Sequence, residues 1–188
     1  GNGTRETLKI ISELIPLDIH EVPSGSSVFD WTVPKEWNIN DAYIKSPTGK
    51  KIIDFKKSNL HILSYSTPIH KKILLDELKD HIFTQPDRPK DIPYRTSYYS
   101  EKWGFCMNHE QFLKLKDGEY EVLIDSELKS GSLTYGEFYC KGKSDKEILL
   151  SCYICHPSMC NDSLSGVVTA VELAKYIISL KEKSNYSY

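Results

Sequence analysis

The sequence predicts an α/β fold, and three observations carry that expectation. Residues 147–155 are nearly continuously apolar, as in a strand buried on both faces. Residues 163–180 place Val167, Val168, Val171, Leu173, Ala174, Ile177 and Ile178 on a broad helical face. A buried strand, a short loop and a helix make the βα part of an α/β unit. Between residues 28 and 105 the texture changes: tryptophans, tyrosines and phenylalanines are spread among prolines and turn signals, which predicts short strands. The organisation expected is therefore a core built from residues 1–27 and 106–188, a mixed sheet with flanking helices, interrupted by a β-rich insertion over 28–105.

Taken in order, residues 4–15 predict an amphipathic helix. Thr4 is the expected N-cap, Leu8, Ile11 and Ile15 recur at helical spacing, and Pro16 ends it. Residues 17–22 roughly alternate apolar and polar, as a half-buried strand does. Ser46-Pro47-Thr48-Gly49-Lys50 separates two strand-like runs and predicts a hairpin. A short helix is expected near residues 69–80. Residues 120–125 and 133–141 read as strands, with a polar turn between them.

Composition bounds the function. The chain has 188 residues, 39% apolar and 27% charged, with a formal net charge of −2. Those are ordinary globular values. Charges of both signs are mixed along the chain, so there is no basic field to hold nucleic acid. No apolar run approaches the ~20 residues of a membrane span. The opening residues lack the basic-then-apolar pattern of a secretory signal. Five cysteines is an odd count, and Cys152, Cys155 and Cys160 crowd together, unlike a disulfide framework. Free thiols in a reducing compartment follow, so the expected location is the cytoplasm. A glycine-rich start without Met and a polar-aromatic end give the expectation of a piece of a longer protein.

The loop between the apolar run and the helix carries the chemistry. His156 offers an imidazole nitrogen and Asp162 a carboxylate, the ligand types of a zinc site. Six positions separate them, enough for the loop to curl back on one point. Pro157 would stiffen the exit from the strand, and Gly166 would let the helix start pack closely. The plainer readings are a hydrogen-bonding histidine and, for Asp162, a helix N-cap. A rival zinc site at Cys152, Cys155, His156 and Cys160 is disfavoured, because strand positions three apart face opposite ways. Ser165 precedes Gly166, but no Gly-x-Ser-x-Gly elbow surrounds it. Arg95, Tyr98, Tyr99 and Trp103 could line a substrate pocket, with an aromatic mini-core as the plainer alternative.

His156-Pro157, followed by Asn161-Asp162-Ser163-Leu164-Ser165-Gly166 and an apolar helix, resembles the co-catalytic zinc aminopeptidases. The resemblance implies His156 as a ligand of one metal and Asp162 as the bridge between two zinc ions. This sequence departs from the family at Ser163, where Asn is usual, and in the short gap between His and Asp. Residues 3–37, Pro93-Tyr94-Arg95-Thr96-Ser97-Tyr98-Tyr99 and Trp103-Gly104-Phe105-Cys106 are similar to a bacterial aminopeptidase-like subfamily. That subfamily is often placed beside polysaccharide biosynthesis and carries a β-rich inserted domain. It implies a longer protein with up to two zinc ions and a peptide or amide substrate. The general-base Glu and the remaining ligands would lie outside this chain, which alone would be inactive. A homo-oligomer is compatible with this picture. The alternatives are a non-catalytic binding or scaffold module with a relic peptidase core, and a metal-dependent amidohydrolase in polysaccharide biosynthesis.

Overall fold

The computed structural model describes residues 1–188 apart from Tyr99, Pro157, Lys181 and Lys183. In chain order it begins with helix α1 (Asn2–Ser12), strand β1 (Asp18–Pro23) and the short β2 (Ser27–Val28) and β3 (Trp31–Thr32). Then come β4 (Glu36–Lys45), β5 (Lys51–Asp54), β6 (Ile69–Leu74), α2 (Leu75–Lys79), β7 (Ile82–Phe83), β8 (Phe105–Cys106) and α3 (His109–Phe112). The long β9 (Glu119–Lys129), β10 (Ser132–Glu137) and α4 (Ser165–Ser179) complete the order. The chain forms two compact units, one from residues 1–35 with 130–188, the other from 36–129. The limits expected from the sequence were 28 and 105. The observed limits follow from pairing: β9 ladders with both β4 and β6, so residues 106–129 belong with the strands before them.

The second unit is built on a four-stranded antiparallel sheet in the order β5-β4-β9-β6. Period-two alternation in β9 explains it. Tyr120, Val122, Ile124 and Ser126 are buried, while Glu121, Leu123, Asp125 and Glu127 point to the other face. The buried row packs with Ala42, Ile44, Ile53, Ile73, Leu78 and Phe105 in one apolar cluster. Each fully buried aliphatic side chain there contributes roughly 1.5–3 kcal/mol. The expected hairpin is present as β4 and β5. Ser46 N–H donates to Lys50 O at 2.9 Å, and Gly49 takes φ +80°, where a side chain would be strained. The helix expected over 69–80 shrinks to α2. Ile69 to Leu74 is instead an edge strand, because its backbone completes the ladder beside β9.

The first unit is organised by helices. Leu8, Ile11 and Ile15 from α1 and the turn after it cluster with Val167, Val171 and Ala174 of α4. Thr4 sits inside the first turn of α1 rather than at its cap, its N–H donating to Gly1 O at 3.1 Å. β1 pairs antiparallel with β10, from Asp18 opposite Glu137 to Pro23 opposite Ser132. This two-stranded pair stands where a mixed sheet was expected, and β10 stops at Glu137, short of residue 141. The largest departure is at residues 147–155, which are not a strand among the described residues. Among the described residues their bridge is Glu147 to Ser187. An apolar run becomes a strand only where a neighbour supplies the backbone ladder, and none of the described residues lies beside 149–155 to do so.

Candidate functional site

The position of the His156–Asp162 loop is set by α4. Its buried residues Val167, Val171, Ala174 and Ile177 fall at helical spacing and fix that face against the α1 side chains. At its start Gly166 lies close to the preceding chain: a Cβ there would stand 3.4 Å from the Cβ of Cys152. That is an ordinary contact distance, and with no strand formed at 147–155 the close approach of helix to sheet expected at Gly166 is not what the structure shows. Ile154 adds a partly buried apolar contact to the same cluster. The loop is thus held at both ends, through Cys152 and Ile154 on one side and through α4 on the other.

Within the loop, residues 160–164 form an irregular turn in which Asp162 and Ser163 leave helical geometry. The Asp162–Ser163 peptide bond is cis. Asp162 is exposed, and Ser163 Oγ donates to its Oδ1 at 3.3 Å. Ser165 Oγ donates to Asn161 O at 3.3 Å, closing the turn onto α4. The N-cap reading of Asp162 is not what the geometry shows, since Leu164 occupies the cap and no side chain bonds there. His156 is half-buried and meets the Tyr153 ring edge-on, with centroids 6.3 Å apart. The expectation for Pro157 lies outside the described residues.

Charge and burial give the loop a definite character. Burial pushes the Cys155 thiol up, and the Asp162 carboxylate raises it further, which places that negative charge near the sulfur. The Cys152 thiol is also pushed up by burial. All five cysteines are free thiols. Among the described residues, no three His, Cys, Asp or Glu side chains gather around one point where a cation could sit. His156 and Asp162 have the right donor chemistry for zinc, but a catalytic zinc normally takes three protein ligands.

Of the expected pocket residues, Arg95, Tyr98 and Trp103 are described, and all three belong to the second unit. Tyr98 meets Tyr65 edge-on at 4.9 Å, and Tyr65 stacks on Trp37 at 5.7 Å. Trp103 stacks on His81 at 3.5 Å and meets Phe105 edge-on at 6.4 Å, packed against the core from its edge. Arg95 is exposed, and its backbone carbonyl accepts from Ser64 N–H at 3.0 Å. Tyr99 lies outside the described residues. Tyr98 and Trp103 each take part in aromatic packing.

The second unit also carries a polar constellation that the linear sequence did not disclose. On the outer sheet face, Tyr43 Oη donates to Glu121 Oε1 at 2.6 Å, and Lys45 Nζ donates to the same oxygen at 3.0 Å. His70 Nε2 stands 3.5 Å from it. Those bonds, the tyrosine's first, hold the Glu121 carboxyl down at about 2. Beside them runs an open groove of about 480 Å³ lined by Asp41, Pro68, Ile69, His70, Leu123 and Asp125. The signal available was strand alternation in β4 and β9. Which outward residues meet depends on register, and a bulge between Ile39 and Asp41 resets it.

Residues 36–127 match a family model described as a domain of unknown function, DUF2172. That range starts where the second compact unit starts and ends two residues before it does. Over all 188 residues the chain is 56% identical to a Clostridium acetobutylicum protein named "Putative polysaccharide biosynthesis protein with aminopeptidase-like domain", of which it covers 43%. In three dimensions it superposes, with a TM-score of 0.96 and 57% identity, on a crystal structure described as a "putative peptidase" from the same organism. The match covers 100% of this chain and 44% of that one. The chain spans less than half the length of these relatives. No described helix is long and apolar enough to cross a membrane.

Proposed function

We propose that this chain carries part of the active site of a zinc-dependent, aminopeptidase-like hydrolase that cleaves a peptide or amide bond. The observation behind the reading is the loop that presents His156 and Asp162 at the start of α4. The names of two relatives, an aminopeptidase-like domain and a peptidase, support the same reaction class. From this chain, His156 and Asp162 would hold the metal, with the other ligands and the general base coming from elsewhere in the whole protein. When bound, zinc would polarise the scissile carbonyl and lower the pKa of its water. The chain's own residues orient the donors: Tyr153 packs against the imidazole edge, and Ser163 holds the Asp162 carboxylate.

The test is zinc content after exhaustive dialysis. A full-length protein of the relatives' size should retain up to two zinc ions, and His156→Ala should lower that number. The 188-residue chain alone should retain none and hydrolyse no aminoacyl amide. Absence of zinc from the full-length protein, or a content indifferent to His156→Ala, would overturn the proposal.

A second reading rests on the relative's name, which places that protein in polysaccharide biosynthesis. The amide bond would then belong to an acylated sugar. Comparing aminoacyl amides with N-acylated sugars as substrates of the zinc-loaded full-length protein separates the two.

A further inference from the structure

The outward face of the second unit's sheet is balanced in charge except at one place. On β9 the outward acids Glu119, Glu121 and Glu127 each meet a lysine: Lys72 at 3.7 Å, Lys45 at 3.0 Å and Lys129 at 2.7 Å. Asp125, on the same face of the same strand, breaks the pattern. The residue directly opposite it in the β4–β9 register is Asp41, a second acid. Like charges at opposed ladder positions destabilise a sheet. Among the described residues neither carboxylate has an ion pair. Asp41 Oδ1 accepts from the Ala42 N–H at 2.9 Å, and Asp125 is exposed.

Both acids border the open groove, and Pro68, Ile69 and Leu123 give it an apolar lining. Every lining residue belongs to the second compact unit and to the segment matched as a domain, so this unit builds the groove by itself. Two uncompensated carboxylates beside apolar surface are complementary to a cation carried on an apolar stem. An arginine side chain has both parts: its methylenes lie along apolar surface while its head stays with the charge. Its forked guanidinium can donate to two carboxylates at once, whereas a lysine ammonium is a compact point charge. An open groove covers one side of such a side chain, not most of a small molecule. We propose that the groove between Asp41 and Asp125 is a docking site for an arginine side chain of a polypeptide partner. The repulsion between the two acids is then a cost of the free protein that docking relieves. This inference rests on the second unit alone and stands whether or not the His156 loop binds zinc.

Amide NMR of the isotope-labelled chain tests it, by titration with the peptide acetyl-Ala-Arg-Ala-amide and with acetyl-Ala-Gln-Ala-amide as control. The arginine peptide should bind in the millimolar range and shift the amides of Asp41, Ile69, His70, Leu123 and Asp125. Asp125→Asn should weaken binding on the order of tenfold, through loss of a charged hydrogen-bond acceptor. The same variant should melt no lower than wild type, because it removes a repulsion. Equal shifts with the glutamine peptide, shifts spread beyond the groove, or undiminished binding to Asp125→Asn would overturn the proposal. So would a fall in the variant's melting temperature, which would give Asp125 a structural role. Calcium chloride that moves the same amides and displaces the peptide would assign the acids to a metal cation and overturn it as well. In a full-length protein of the relatives' size, carbodiimide coupling of glycine ethyl ester should label Asp41 and Asp125, and the arginine peptide should protect them. Protection without peptide would place another part of the same polypeptide on the groove and overturn it equally.

Discussion

Glu21 and Glu121 both titrate at about 2, one in each compact unit, and for the same kind of reason. Arg5 holds Glu21 with a pair of bonds, Nε to Oε1 at 2.7 Å and Nη2 to Oε2 at 3.0 Å, with Thr134 adding a third. Tyr43, Lys45 and His70 do the same for Glu121. The ordinary value is 4.5, so the unfolded chain takes up these protons at higher pH than the folded one. The stabilisation is full above about pH 4.5 and is lost as pH falls towards 2. Glu121→Gln and Glu21→Gln should each flatten the decline of melting temperature over that window. The effect should be modest and weaken with added salt, since both pairs face solvent. Identical acid profiles for wild type and both variants would show that the pairs do not persist in solution. Cys106 makes a contrasting case: burial pushes its thiol up to about 12. In the native chain at pH 8 it should resist iodoacetamide while Cys160, which is exposed, reacts; denaturant should remove the difference. The Glu121 network was not legible in the sequence, because its members lie 76 and 78 positions apart and meet only through strand register.

At the scale of elements, β9 is the organiser of the second unit, and its entry is tightly fitted. Gly118 takes φ +141° directly before it, and a Cβ there would come within 2.5 Å of Pro47 Cγ. Its carbonyl accepts from Leu75 N–H at 3.1 Å, where β6 passes into α2. Gly118→Ala should cost about 1–3 kcal/mol in urea denaturation, through backbone strain and overpacking together. Ile44→Ala, which empties a fully buried site on β4, should cost roughly 2–5 kcal/mol. Element types were legible where one period dominated: α1, the β4–β5 hairpin, β9 and α4 stand close to their expected places. The sequence misled at residues 69–80 and 147–155. In both, local composition was read without its neighbours, and a strand is a property of a pair.

For the molecule as a whole, the second unit has the ends of an independent body. Its first residue, Glu36, stands opposite its last, Lys129, in the β4–β9 register. Chain entering and leaving at adjacent ladder positions can interrupt another unit without stretching it. Residues 36–129 expressed alone should therefore fold, with a cooperative urea transition and near-ultraviolet dichroism from the Trp37 and Trp103 environments. Failure to give a cooperative transition would mean that this unit requires the rest of the chain.

By itself the sequence determined the α/β class, the helices at each end of the first unit, the β-rich texture of the middle and the His156–Asp162 loop before α4. Each rests on a local period or on a short spacing, which a linear reading can see. Tertiary structure alone decided where the second unit ends, since that depends on β9 returning to β4 over a long separation. It also decided which rings meet, Tyr98 with Tyr65 and Trp103 with His81. The same holds for the run at 147–155: apolar composition specifies a strand, but a strand and its burial require partners in space, and among the described residues only Ile154 of the run packs on the α1–α4 cluster.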